Sequence, residues 1–233
     1  DLKSRRDSNT CDMFVPSAQK TLAFKPITVT QQSDIISSLL VQERDSNAYA
    51  YSKSINKIIT DNVVEPADLF RGFDRSAILI QMRINTIGPQ ITIDDHDIDL
   101  SVLSDNFKLT EDEISLLTDP HTYDDVGIEV SYHQPLLSRE TQIAESAEDK
   151  WKDLEGEDII TELFVIELVK YINTVTFDDN QMIFNELTFD QCTQVCNMLP
   201  MAHSRNIMEY VQQTKDIESR FFTIEVDEET SVQ

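Results

Sequence analysis

The closest-spaced set of metal-ligand side chains in the 233-residue sequence is a run of alternating aspartates, Asp95, Asp97 and Asp99. Carboxylate oxygens are ligands that Ca²⁺ and Mg²⁺ prefer, so the run could serve a metal-assisted enzyme. A calcium-binding loop has a glycine soon after its first ligands, and none follows here. Alternation also predicts a strand with an acidic solvent face and with Ile98 and Leu100 turned inward. We expect the strand and no metal site, with the metal-assisted enzyme as the alternative.

A second arrangement that could hold a metal consists of Cys192, Cys196 and His203. The two cysteines are four residues apart on a predicted helix, so their sulfur atoms could share one face with the histidine beyond it. A structural zinc site needs a fourth ligand, and the sequence offers none at a suitable spacing. The apolar neighbours Phe189 and Val195 favour the alternative that both cysteines are small core residues.

Other catalytic and cofactor-binding patterns are missing from the sequence. The four glycines are far apart, which excludes a glycine-rich phosphate cradle. The histidines are scattered, and none stands beside a nucleophile elbow or in zinc-protease spacing. We therefore predict that the protein is not an enzyme, with no catalytic residues and no cofactor.

The charge balance limits the partners. The sequence has 43 acidic residues and 19 Lys plus Arg, which gives a net charge of −24. Nucleic acid and anionic membranes bind through Lys and Arg, so both are predicted not to be partners. An acidic adaptor or inhibitor that binds a basic protein stays as a further alternative. Its binding would weaken steeply with added salt.

Cysteine count and hydropathy indicate the compartment. Three cysteines cannot form a closed set of disulfides, which suits a reducing cytoplasm. No apolar run has the length of a membrane span, and the first ten residues lack the apolar segment of a signal peptide. We expect neither a membrane span nor secretion.

The order of apolar periodicities predicts an α+β fold that is mainly helical, with small mixed or antiparallel sheet elements. Predicted helix caps are Thr30, Asp74 and Thr188, and Thr110 with Glu113 fits a capping box. Five segments follow: an extended polar arm (1–20), an N-terminal α+β part (21–137), an acidic connector or exposed helix (138–157), a C-terminal mainly helical part (158–226) and an acidic tail (227–233).

Contacts with a partner are predicted at one edge strand and at the arm. Phe24, Ile27 and Val29 supply apolar side chains in a strand that Pro26 restricts to a sheet edge. An exposed edge can pair with a strand of another chain. The apolar stretch 181–187, which lacks helical periodicity, is a second feature that favours a partner-building protein over an isolated globule.

A series of motifs in fixed order resembles a known family. LAFKPITVT (22–30) opens a helix, IITDNV (58–63) ends the next one, and FDRSAILIQMRINTIG (73–88) forms a third. More loosely, LTFDQ (187–191), MLP (198–200) and SRFFTIEV (219–226) continue the series. This order is similar to that of the baseplate hub and hub-assembly proteins of T-even-type contractile-tailed bacteriophages, over about residues 21–226.

The resemblance implies a structural or assembly component of a contractile tail baseplate, in its hub region. It further implies contacts with other hub, tube or wedge proteins or with copies of itself, and a location in the host cytoplasm during assembly. Whether the protein stays in the virion baseplate is left open. Many relatives end in closely spaced cysteines where this chain has residues 227–230, so no metal site is carried over, and the family has no catalytic residues to transfer.

Overall fold

The computed structural model describes residues 9–45, 49–65, 69–93, 96–151, 157–227 and 230–232. Within this part of the chain the helices are α1 (Val29–Asp45), α2 (Ala50–Asn62), α3 (Asp74–Ile87), α4 (Glu111–Thr118), α5 (Leu137–Trp151), α6 (Glu157–Tyr171), α7 (Phe189–Met198) and α8 (Met201–Ser219). The strands are β1 (Cys11–Val15), β2 (Lys20–Phe24), β3 (Gln90–Ile93), β4 (His96–Asp99), β5 (His121–Asp125), β6 (Ile128–Tyr132), β7 (Ile172–Phe177), β8 (Asn180–Ile183), β9 (Ile224–Asp227) and β10 (Thr230–Val232).

The described strand pairs are all antiparallel. The predicted α+β class, mainly helical with small sheets, is confirmed. The chain forms two compact units. Unit 1 combines Asp1–Ile114 with Lys215–Gln233, and unit 2 is Ser115–Thr214. The chain leaves unit 1 after Ile114 and returns to it at Lys215. The unit borders therefore differ from the predicted division at 138–157.

The first described element of unit 1 is a hairpin, in the region where the sequence predicts an extended arm (1–20). β1 pairs with β2, with Met13 opposite Leu22. Met13, Val15, Leu22 and Phe24 are all buried, so this hairpin belongs to the core of unit 1. The structure differs from the prediction because the two buried residues of β1, Met13 and Val15, form a core only together with Leu22 and Phe24 of β2. Residues 1–8 lie outside the described residues.

The C-terminal segment completes unit 1. Phe221 is fully buried and meets the ring of Phe107 edge-on, with centroids 5.6 Å apart. The side-chain amide of Asn106 donates to the carbonyl oxygens of Arg220 (2.9 Å) and Thr223 (3.1 Å). Where an acidic tail was predicted over 227–233, β9 pairs with β10, while residues 228, 229 and 233 lie outside the described part.

The predicted capping box of α4 is confirmed, and it connects to the C-terminal segment. The Thr110 amide donates to Glu113 Oε2 (2.9 Å) and the Glu113 amide donates to Thr110 Oγ1 (3.3 Å). Arg220 Nη2 lies 2.7 Å from Glu113 Oε1. Burial raises the pKa of the Glu113 carboxyl, but hydrogen bonds from Thr110 and Arg220 outweigh it and hold this pKa below its usual value.

Unit 2 contains a four-stranded sheet in the order β5-β6-β7-β8, of which the sequence predicted only the β6 region. The apolar stretch 181–187 continues β8 into a 3₁₀ turn whose Phe184 is fully buried. Helix α5 buries Ile143, Ala144 and Ala147 and packs against α6 and α7. The predicted connector over 138–157 is thus a packed helix up to Trp151, because these three apolar residues give the acidic segment a narrow buried stripe.

The β5–β6 turn carries backbone strain. Val126 and Gly127 have φ of 49° and 78°, the positive values that a type I′ hairpin requires. A β-branched residue is unfavourable there, and Val126 is 74% exposed, so burial offers no compensation. We expect Val126→Asn to raise the free energy of unfolding by about 1 kcal/mol in urea denaturation, because asparagine tolerates the left-handed region.

The matched control for this turn is Gly127→Ala. No atom lies within 4 Å of the position that the added Cβ would take, so any loss of stability reports backbone strain alone. We expect a loss of about 1 kcal/mol. A Val126→Asn protein no more stable than the parent would contradict the assignment of strain to this turn.

Candidate functional site

The predicted interface residues Phe24, Pro26, Ile27 and Val29 occupy three different environments. β2 ends at Phe24, whose side chain is fully buried. The centroid of its ring lies 5.9 Å from that of Phe70. Its backbone is engaged on both sides, because Phe24 pairs with β1 and also bridges to Val63. Phe24 therefore presents no free strand edge, which differs from the sequence-based expectation.

Pro26 and Ile27 are half-buried and line a surface depression of about 200 Å³. The buried side chains of Met13 and Met82 also line it, and its polar lining includes Asn85. Methionine adapts its shape to different neighbours, which suits a surface that receives a side chain of another protein. The depression is built by β1, by the residues that follow β2 and by the end of α3.

Val29 is the first residue of α1 rather than part of a strand. The cap of this helix is Thr28, two residues before the predicted Thr30. The Thr28 amide donates to Gln31 Oε1 (3.0 Å), and the Gln31 amide donates to Thr28 Oγ1 (3.2 Å). This reciprocal pair fixes the start of the helix and leaves Val29 85% exposed.

Helix α1 presents an apolar surface that the sequence analysis did not single out. No residue from Val29 to Leu40 is buried, although α1 packs against α2. Its exposed apolar side chains are Val29, Ile36, Leu39 and Leu40. The signal was visible in the sequence as an apolar stripe, but a stripe alone does not tell whether it faces its own chain or a partner.

Two aspartates of the acidic run, Asp97 and Asp99, lie on a strand, as expected. β4 buries Ile98 between its neighbours Asp97 and Asp99 and pairs with β3. Thr92 donates to Asp97 (2.8 Å), and Ser101 donates to Asp99 through both its amide and its hydroxyl. These Ser101 hydrogen bonds lower the pKa of Asp99.

Asp95, the third member of the run, lies outside the described residues. Among the residues that are described, no group of three or more His, Cys, Asp or Glu side chains is arranged to hold a metal ion. The aspartates with known positions thus act as hydrogen-bond acceptors within a hairpin.

The zinc alternative is not supported by the geometry of its three residues. Cys192, Cys196 and His203 are all buried, and His203 Nε2 lies 2.8 Å from the carbonyl oxygen of Ile128. Burial raises the pKa of both thiols, which favours the neutral thiol over the thiolate that binds metals. Both cysteines are core residues of unit 2, which is the alternative that their apolar neighbours in the sequence favour.

Comparison with known proteins decides the family. A family model described as T4 bacteriophage base plate protein matches residues 8–227. The chain belongs to this family. No curated protein and no solved structure matches the sequence.

The resemblance to phage baseplate proteins is therefore confirmed, and the chain is a T4-type baseplate protein. Membership indicates a structural component of the phage tail baseplate, and it implies a location in the virion tail and other baseplate proteins as partners. In the part of the baseplate protein that the structure describes, no helix has both the length and the apolar composition to cross a bilayer.

Proposed function

We propose that this baseplate protein is a hub component of a contractile tail, assembled in the host cytoplasm through contacts with hub, tube or wedge proteins. Its family supports the structural role. The observation that carries the proposed contact is the depression beside Pro26 and Ile27, whose lining includes two buried methionines. A volume of about 200 Å³ admits one large apolar side chain, and such anchors dominate the energy of protein interfaces.

The lining of the depression supports a contact that does not depend on charge. Its lining includes Lys25 beside the apolar Pro26 and Ile27, so the site combines an apolar centre with a polar rim. Binding that depends on such an anchor changes little with salt, whereas an acidic adaptor bound to a basic protein dissociates readily at high ionic strength.

Replacing Ile27 with aspartate is expected to weaken binding to the cognate baseplate partner by about 100-fold, because a carboxylate would be buried against the incoming apolar side chain. Partners are identified by co-expressing the tagged chain with each hub, tube and wedge protein of its own phage. Affinity is then measured by calorimetry at about 50 and 300 mM NaCl.

The control for this substitution is Ile160→Asp, which makes the same chemical change at an exposed isoleucine of α6 in unit 2. It should bind like the parent. Absence of a complex with every hub, tube and wedge protein would refute the hub assignment, and unchanged binding by Ile27→Asp would refute the depression as the contact. Peptide mass spectrometry of purified virions separates a permanent component from an assembly factor that leaves.

A further inference from the structure

Helix α1 turns its more apolar side away from its own chain. The side that meets α2 carries Gln31, Ile35 and Ser38, all half-buried, and the Gln31 side chain exchanges hydrogen bonds with Asn62 of α2. The opposite side exposes Ile36 by 55% and, one turn further, Leu40 by 61%. A helix that packs only inside its own molecule shows the reverse arrangement.

The outward residues form a straight stripe, which we call the α1 seam: Val29, Ser33, Ile36 and Leu40. At 3.6 residues per turn these four positions fall within an arc of about 60°, and Ser38 lies on the opposite side. Their separations of four, three and four residues are those of a two-helix coiled-coil seam. The small Ser33 permits close approach of a second helix, and the seam is about 17 Å long.

Charge indicates which molecule covers the seam. Between Val29 and Leu40 the one ionisable side chain is Asp34, which points about 130° away from the seam, and the others of α1, Glu43, Arg44 and Asp45, come after the end of the seam. The whole chain has a net charge of −24, so two copies repel each other over most of their surfaces. A second copy carries the same net charge and therefore needs a contact surface without ionised side chains, which the seam provides.

We propose that the α1 seam pairs with the α1 seam of a second copy of this chain, forming a two-fold symmetric dimer. A two-fold interface brings the same patch of both copies together, and an uncharged apolar stripe is complementary to itself. The exposed side chains of Ile36 and Leu40 become mutually buried across the axis. This proposal does not depend on the hub assignment, because it concerns the purified chain alone.

The test is sedimentation equilibrium of the purified full chain over a range of concentrations. We expect a reversible dimer that tightens by about 10-fold between about 50 and 500 mM NaCl, because salt screens the repulsion between acidic copies. Ile36→Asp is expected to weaken the dimer by at least about 100-fold, since each substitution places two carboxylates in the shared seam.

Two further variants complete the experiment. Ile160→Asp, the exposed isoleucine of α6, should dimerise like the parent, and Ser33→Ala should dimerise at least as well because it removes a hydroxyl from the seam. Circular dichroism melts check that Ile36→Asp keeps its fold. A parent protein that stays monomeric at about 1 mM overturns the proposal and leaves the seam to a foreign partner. A dimer that survives Ile36→Asp, or one that weakens as salt is added, overturns it as well.

Discussion

Replacing Phe221 with alanine is expected to lower the free energy of unfolding by about 3–5 kcal/mol. The Phe221 ring is fully buried and stands edge-on to the ring of Phe107, so its removal leaves a cavity and also deletes an aromatic pair. The effect concerns unit 1, because the segment that carries Phe221 is the part of the chain that returns to it. Chemical denaturation followed by fluorescence measures the loss.

The neighbouring Phe222→Ala is the matched control. Phe222 belongs to the same 3₁₀ turn but is 38% exposed, so the same deletion is expected to cost about 1 kcal/mol or less. Equal losses for the two variants would show that the C-terminal return does not depend on Phe221. A chain cut before residue 219 should likewise lose cooperative unfolding of unit 1, because the partner of Phe107 is then missing.

Replacing Asp74 with alanine is expected to destabilise the protein by about 2–4 kcal/mol. The sequence predicts Asp74 as a helix cap, but in the structure α3 begins at this residue and its carboxylate serves the β1–β2 hairpin. The Ser17 amide donates to Oδ1 (2.7 Å), while the Ser17 hydroxyl (2.6 Å) and the Arg71 amide (2.8 Å) donate to Oδ2. Alanine leaves these donors without an acceptor in the interior.

The cost of Asp74→Ala should depend on pH. Burial raises the pKa of Asp74 to about 6, and the hydrogen bonds from Arg71 and Ser17 only partly offset this effect. Since the folded-state pKa exceeds the unfolded value of 3.8, the contribution of Asp74 to stability is fully present below pH 3.8 and is lost as pH rises through 6. We expect the difference between parent and variant to grow by about 1 kcal/mol from pH 7 to pH 5.

Ser17→Ala is the control for the Asp74 experiment. It removes one of the three hydrogen bonds and keeps the carboxylate, so it should cost about 1 kcal/mol. Urea denaturation of the three proteins at both pH values gives all the free energies of unfolding. A difference between parent and Asp74→Ala that shrinks on acidification would mean that Asp74 ionises more easily in the fold than in the unfolded chain.

The sequence predicts correctly those helices and strands whose formation depends on residues close to each other in the chain. The alternation around Ile98 predicted β4, the Thr110 and Glu113 pair predicted the start of α4, and Thr188 caps α7 as expected, through a capping box with Gln191. Each of these signals lies within a few residues of the element that it predicts. The order of the motifs over 22–88, continued more loosely to residue 226, indicates a phage baseplate protein.

Signals that need a distant partner do not give correct predictions from the sequence. The sequence predicts an arm for Met13 and Val15 because Leu22 and Phe24, which cover them, belong to the next strand. The strands β5 and β7 were missed, and β6 was recognised, because only β6 alternates clearly by itself. The sequence predicts a free edge at Phe24 because Val63, which bridges to Phe24, lies far along the chain.

The sequence by itself determined the class of this protein: acidic, mainly helical, without a recognisable catalytic pattern, and built like a phage baseplate protein. Only the tertiary structure decided that Asp74 supports a hairpin rather than a helix end, that the C-terminal segment completes unit 1, and that the apolar stripe of α1 faces outward. The physical reason is the range of the interactions. Periodicity and capping act over a few residues, whereas burial depends on which distant segments come together, and a stripe of identical composition can face either a core or a second molecule.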